Sequence, residues 1–230
     1  MGMMACLASN AGPKQSEYYF FSGTDNTWSV EEICSGMLRP SGFVTFQTSD
    51  SLKLEALLAR LLASIASRQE MTSSVLLKMP SIFVTFADLD RVPAICRKSN
   101  SYGDLAEPPL GLNLKRLFTD GPAVGIHTIL SFSGVTGLTA VLEPRRSLPS
   151  FRHRVALQMS EDDSYTFVKN QLAARLQNQG PKPIKALYRD ISSDSSTLFR
   201  PYSADPEMTE NKASLARELT SIGDTLAARR

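Results

Sequence analysis

"TDGPAVGIHTILSFSG", residues 119–134, decides the fold. A glycine–proline turn and a second glycine stand before an apolar run, and small polar residues follow it at once. Gly121 and Pro122 close a preceding helix, Gly125 permits a tight entry, and "GIHTILSF" forms a strand that delivers Ser131 to Gly134 to its end. In an open parallel sheet, that carboxyl end faces the ligand crevice.

The flanking segments repeat this logic. "EYYFFSG" (17–23) reads as a short buried strand with a turn, and "GFVTFQ" (42–47) as a second strand. Between them "SVEEICSGML" reads as a short helix, with Glu31 and Glu32 in its first turn where the dipole favours them. "TSDSLKLEALLARLLASIASRQE" places Leu52, Leu54, Leu57, Leu58, Leu61, Leu62 and Ile65 near helical spacing behind Ser/Asp caps. "PSIFVTFADLDR" (80–91) is an apolar, hence central, strand. A loose loop, "KSNSYGDLAEPP", leads to a helix over 110–121. After the strand at 125–132 come a fifth strand, "HRVALQM" (153–159), and a Ser160-capped helix, "SEDDSYTFVKNQLAARLQ". "PIKALYRD" and "TLFRPYS" form an edge pair. The chain opens with an uncapped helix former, "MGMMACLASN", and closes with a polar, weakly amphipathic helix or tail over 204–230. Strands alternating with helices around apolar central strands predict an α/β fold with a three-layer, mostly parallel sheet. Its ligand sites follow Phe86, Phe132 and Met159.

Composition narrows the setting. At 230 residues, with 42% hydrophobic and 21% charged residues, the chain can bury a real core. A net charge of +2 argues neither for nor against nucleic acid. Cys6, Cys34 and Cys96 are odd in number and lack metal-type spacing, which points to a reducing, cytoplasmic setting. No apolar run reaches the roughly 18 residues that span a bilayer. The first residues lack a signal peptide's charged start, and Gly2 lacks the Ser or Thr of a myristoylation site.

Taken in order, the strand ending in "ADL", the next helix, "GPAVGIHTILSFS", "FRHRVALQMSEDDSY", "KALYRD" and "FRPY" resemble the FtsK/SpoIIIE–HerA family of RecA-like P-loop motor ATPases. The resemblance covers residues 1–203, most closely 80–203. It implies a RecA-like core, ATP and Mg2+ as cofactors, a hexameric or otherwise homo-oligomeric assembly, and DNA as a partner. Asp88, His127 and Ser133 then border the nucleotide, and Arg154 resembles the family's arginine that serves a neighbour's nucleotide in trans. Arg145, Arg146 and Arg152 form a basic stretch that could meet DNA phosphate, although no aromatic residues interleave with them. Each has a plainer reading: His127 as a half-buried strand residue, Arg154 as a salt-bridged strand-edge residue, the basic stretch as a solvated loop. Glu161, Asp162 and Asp163 resemble a metal cluster but are explained by the helix N-terminus.

The departures decide what activity the resemblance implies. The phosphate-cradling G-x-x-x-x-G-K-[ST] string is absent, and residues 1–11 resemble the helix that follows it, so the RecA-like sheet is expected without its P-loop strand. Val84 and Thr85 occupy the positions of the metal-organising Asp and the water-activating Glu; neither replaces a carboxylate. Asp88 maps to a later acid of the pattern, and Ser133 stands where the family has a γ-phosphate-sensing Gln. The expectation is a partial or degenerate motor ATPase, either a nucleotide-binding ring member or the remainder of a larger ATPase. Its rivals are a pseudo-ATPase scaffold for protein partners and an active DNA translocase completed by sequence outside the chain.

Overall fold

The computed structural model describes residues 16–23, 44–47, 51–99, 101, 103–177 and 184–200. The helices expected at 1–10 and 29–38 and the tail at 204–230 lie outside these residues. The chain divides into two compact units, one containing residues 1–132 and the other formed by Ser133–Ser203.

In the first unit, β1 (Ser16–Ser22) and β2 (Val44–Gln47) precede helix α1 (Ser51–Gln69) and the single turn α2 (Ser73–Leu76). Then come β3 (Ser81–Ala87), β4 (Lys98–Ser99), β5 (Leu105–Ala106), α3 (Pro109–Asp120) and β6 (Ile126–Ser131). β2, β1, β3 and β6 form one sheet in that order, all parallel. The apolar 80–91 stretch is indeed its interior: β3 pairs along its length with β1 and β6. Registers Tyr19↔Val84 and Val84↔Thr128 put Tyr19, Phe21, Val84 and Phe86 on one face, all buried. α1 buries Leu54, Leu57, Leu58, Leu61 and Ile65, and its Arg60 sits over the Tyr19 ring at 5.4 Å. Complete burial of one such leucine contributes roughly 2 kcal/mol, so this stripe is the main reason the unit holds.

The second unit contains α4 (Val135–Val141), α5 (Pro144–Ser147), β7 (His153–Ala156), α6 (Glu161–Val168), β8 (Ala186–Asp190) and β9 (Ser195–Phe199). β7, β8 and β9 form an antiparallel sheet of their own, with Ala156, Val168, Ala173, Leu176 and Leu187 as its core.

The structure corrects four expectations. The segment at 153–159 is not a fifth parallel strand: it ends at Ala156 and pairs antiparallel with β8, so no parallel-sheet crevice follows Met159. The 160–177 helix stops at Val168, because Lys169 adopts a left-handed conformation (φ 62°) that ends it. The "loose loop" at 98–109 contains the small β4–β5 hairpin, turned by Gly103 (φ 85°). Gly121 does not stop its helix by turning. It stays right-handed as the chain tightens into a 3-10 turn over Gly121–Val124, and the left-handed turn falls on Gly125 (φ 75°). Gly121 is required for space: a Cβ there would sit 2.7 Å from the carbonyl oxygen of Ile126.

Arg68 ties the amino ends of β3 and β6 together. It is 3% exposed in the last turn of α1, donating to the carbonyl of Val124 (3.0 Å), just before β6, and of Pro80 (2.8 Å), just before β3. Removing it leaves a buried carbonyl at Val124 and a half-buried one at Pro80 short of a donor, a loss of about 1–3 kcal/mol. The prediction is that Arg68→Ala lowers unfolding stability by about 2 kcal/mol in urea titration, with Arg68→Lys recovering only part of it.

Candidate functional site

The candidate site of the first unit is the carboxyl edge of its parallel sheet, where β1, β3 and β6 end side by side at Ser22, Ala87 and Ser131. Asp88 leaves β3 in the left-handed region (φ 53°, ψ 39°), which aspartate tolerates better than most residues, and opens a 3-10 turn over Leu89–Arg91. Its backbone N–H donates to the Ser131 carbonyl at 3.1 Å, while Gly23 N–H donates to the Ala87 carbonyl at 2.8 Å. A side chain at Gly23 would overlap the Asp88 carbonyl, so only glycine lets β1 end this close to β3. The result is a narrow edge of small residues beside one carboxylate.

Val84 and Thr85 lie inside β3, short of that edge. Val84 is fully buried beside Tyr19 and Thr128, and Thr85 is 8% exposed on the opposite face. Neither fits a magnesium–nucleotide complex: valine has no donor atom, and a neutral hydroxyl is a poor substitute for a carboxylate ligand. Asp88 is the remaining acid there. His127 stacks on Phe83 (centroids 5.2 Å apart) on the same face as Thr85. Its outer side is exposed, while partial burial pushes its pKa down and disfavours the imidazolium. It makes a strand-face contact, four residues from the carboxyl end of β6. Among the described residues, no cluster of three His, Cys, Asp or Glu side chains could hold a metal. The Cys96 thiol, its pKa raised by burial, is no poised nucleophile.

The remaining sequence candidates belong to the second unit. Ser133 is exposed in the bend before α4. Arg154 is buried at 4% exposure, and its guanidinium donates to three backbone carbonyls of its own unit: Leu148 (2.7 Å), Phe151 (3.1 Å) and Phe167 (2.5 Å). Burial, and then the neighbouring charge of Arg189, lower its pKa. It holds α5, β7 and α6 together and does not project outward. Arg152 makes a two-pronged ion pair with Asp190, Nε to Oδ1 at 2.9 Å and Nη2 to Oδ2 at 2.8 Å. Arg146 pairs with Glu143 at 3.2 Å, and Arg145 is exposed. Glu161, Asp162 and Asp163 occupy the first turn of α6, where Ser160 Oγ accepts from the Asp163 N–H at 3.1 Å. That is the helix-start explanation in full.

Sequence reasoning passed over three features. Gly23 was legible only as a turn, since the strand it must clear is distant in sequence. Arg68 does leave a trace: it continues the 54–58–61–65 apolar stripe, a place where an arginine needs buried partners. α4 lacks a cap signal, its N-cap being Gly134.

No protein-family model and no curated protein matches this chain. Solved structures do. The chain is similar to the cytoplasmic domain of EssC, with a TM-score of 0.56 and 14% identity over 98% of this chain and 41% of that one. It is similar to Thermomonospora curvata EccC (ATPases 2 and 3), solved with a signal sequence peptide, with a TM-score of 0.55 and 14% identity over 93% and 37%. It also resembles the genome packaging NTPase B204 of Sulfolobus turreted icosahedral virus 2, solved with AMP, with a TM-score of 0.50 and 12% identity over 87% and 88%. The chain thus spans about two fifths of the EssC and EccC structures. At these identities the likeness establishes the fold alone: an α/β domain with a mostly parallel sheet and antiparallel additions.

The Arg152–Asp190 pair supplies a pH test of the second unit. Arg152 first, then hydrogen bonds from Ser192, hold the Asp190 carboxyl well below the usual carboxylate range. A depressed native pKa contributes stability that is present above the unfolded value of about 4 and is lost as pH falls below it. Asp190→Asn is expected to lower the urea midpoint at pH 7 and to flatten its decline below about pH 4, as measured by urea titrations across pH.

Proposed function

We propose that this chain is a degenerate motor ATPase module of the FtsK/HerA type, one that does not hydrolyse ATP on its own. The observation that carries the reading is the chemistry at positions 84 and 85. Where the resemblance calls for two acids, β3 has a buried valine and a nearly buried threonine. A carboxylate at Val84 would lie on the buried sheet face that carries Tyr19, Phe21 and Phe86, a packing that suits an apolar residue. Magnesium and a general base are both unprovided for, and the trans-acting role expected of Arg154 is opposed by its engagement with three carbonyls.

The carboxyl edge formed by Gly23, Asp88 and Ser131 remains the place where a nucleotide would approach, and B204, of similar fold, is solved with AMP. In this reading the chain acts as a structural or regulatory member of a larger assembly, with Asp88 the polar residue closest to the ligand.

A second reading, an active translocase completed by another segment, is favoured by one feature of β6. The bonds Ile82 N–H to Gly125 and Asp88 N–H to Ser131 turn the odd-numbered residues of β6 toward β3. Ile126, Thr128 and Leu130 therefore point their backbone donors and acceptors outward, and no described strand pairs with them. A strand added there would extend the parallel sheet. For DNA, the exposed Arg145 is the best placed of the three candidate arginines, since Arg146 and Arg152 are ion-paired.

Titration of the full chain with a fluorescent ATP analogue, with and without magnesium, together with a phosphate-release assay, tests the proposal. The expected outcome is no phosphate release above buffer and no gain in nucleotide affinity from magnesium. Magnesium-dependent turnover by the chain alone would overturn it.

A further inference from the structure

β9 is an edge of the second unit's antiparallel sheet. It pairs with β8 over five consecutive residues without a bulge, all five are exposed, and no described strand lies on its other side. The phase of the hydrogen bonds shows which groups it presents there. Ile191 N–H donates to the Arg152 carbonyl at 3.0 Å, in register with the β7–β8 ladder. Leu187 and Arg189 therefore turn their backbone groups toward β7, and Ala186, Tyr188 and Asp190 turn theirs toward β9. It follows that Ser195, Thr197 and Phe199 face β8, while Ser196 and Leu198 point their N–H and C=O groups outward. Arg189 braces this edge. Its Nη1 donates to the Asp194 carbonyl at 2.6 Å and to Ser196 Oγ at 3.1 Å, and its Nη2 donates to the Asp194 carboxylate. Strand edges are ordinarily blunted by a lysine, a proline or a bulge, and Ser195–Phe199 has none of them.

We infer that β9 pairs antiparallel with β9 of a second copy of this chain, across a two-fold axis at Thr197, so that the two three-stranded sheets become one. Three features of the strand select a second copy. The outward groups lie symmetrically about Thr197, so Ser196 of each copy meets Leu198 of the other, and each such pair exchanges two hydrogen bonds. Thr197 then lies opposite its own equivalent, a favourable cross-strand pair, and the strand has no charged residue to oppose its copy. The same register sets Asp194 of each copy opposite Arg200 of the other. The Asp194 side chain is 88% exposed and Arg200 is exposed, so opposite charges meet on both sides of the axis. An axis at Leu198 would lose that match. Leu198, 61% exposed on the face that carries buried Leu187, gains its own equivalent as a diagonal neighbour. The pairing is short against the roughly 1,200–2,000 Å² of a stable interface, so dimerisation belongs to the micromolar range or weaker. It involves no nucleotide and does not rest on the function proposed above.

Sedimentation velocity of the full chain over a concentration series, together with thiol cross-linking, tests this. The chain is expected to pass from monomer to dimer as concentration rises. Thr197→Lys sets two like charges at the axis and is expected to weaken dimerisation by roughly tenfold or more. Arg200→Asp, which opposes Asp194 with a second acid, is expected to weaken it less. For cross-linking under a mild oxidant, Cys6, Cys34 and Cys96 are replaced by serine and one thiol is introduced. Thr197→Cys places the two Cα atoms about 4.5 Å apart, within disulfide reach. Ser195→Cys leaves its two thiols about 13 Å apart along the strands, at 3.3 Å per residue. The linked dimer is expected to form severalfold faster from Thr197→Cys. Cysteine is neutral, so this arm stands even if lysine disturbs β9. A monomer at every concentration overturns the inference. So does a dimer that Thr197→Lys leaves intact, or cross-linking at 195 as fast as at 197.

Discussion

The carboxyl edge of the parallel sheet depends on the absence of one side chain. At Gly23 the backbone of β1 passes against the carbonyl of Asp88, and a Cβ would overlap it. With that space open, Gly23 reaches the Ala87 carbonyl and Asp88 turns left-handed to reach Ser131, so three strand ends close on one another. The left-handed turn stores a small amount of strain, which the hydrogen bonds on both sides offset. Everything that can be said about a ligand at this edge follows from how tightly it is drawn together.

Much of this fold was legible because its strongest elements are governed by local rules. The leucine spacing of α1, the apolar run of β3 and the turn–strand sequence at 121–131 each specify an element without help from distant residues. Where reading from sequence failed, a long-range or left-handed contact intervened. "HRVALQM" has a strand's composition, yet composition does not select a partner, and pairing with β8 made it antiparallel. "KNQLAARLQ" has the propensity to continue α6, but Lys169 turns left-handed and ends it. The site was less legible than the fold. Val84 and Thr85 could be placed in a strand from their neighbours, whereas Gly23 beside Asp88 is a meeting of residues more than sixty positions apart in the sequence.

Positions 84 and 85, where the proposed reading looks for an acid pair, are governed by the packing around them. An acid pair at a strand end remains ionised because water, metal and positive charge surround it. Here β3 continues as a strand through Ala87, which draws positions 84 and 85 into the sheet interior. Valine at 84 suits that depth and aspartate does not. The residue and its depth support each other: an apolar side chain suits this placement, and the placement favours an apolar side chain. Acids introduced at 84 and 85 would therefore not by themselves make a metal site, since the strand carries both positions into the sheet interior.

Arginine carries a second lesson in this chain. Arg68 and Arg154 are both buried, neither has a carboxylate partner in the bonds that hold it, and each gathers backbone carbonyls at the ends of elements: Pro80 and Val124 for one, Leu148, Phe151 and Phe167 for the other. Carbonyls at strand and helix ends lack regular partners, and a guanidinium with five N–H groups can serve several from one position. In the second unit, which also buries Leu138, Val141, Leu142, Leu148 and Ala186 beside the Ala156, Val168, Ala173, Leu176 and Leu187 cluster, Arg154 fastens the ends of the elements that carry this core. The burial and bonding of Arg154 are thus accounted for by folding alone. The guanidinium that satisfies three carbonyls within its own unit cannot reach a neighbour's nucleotide without first releasing them.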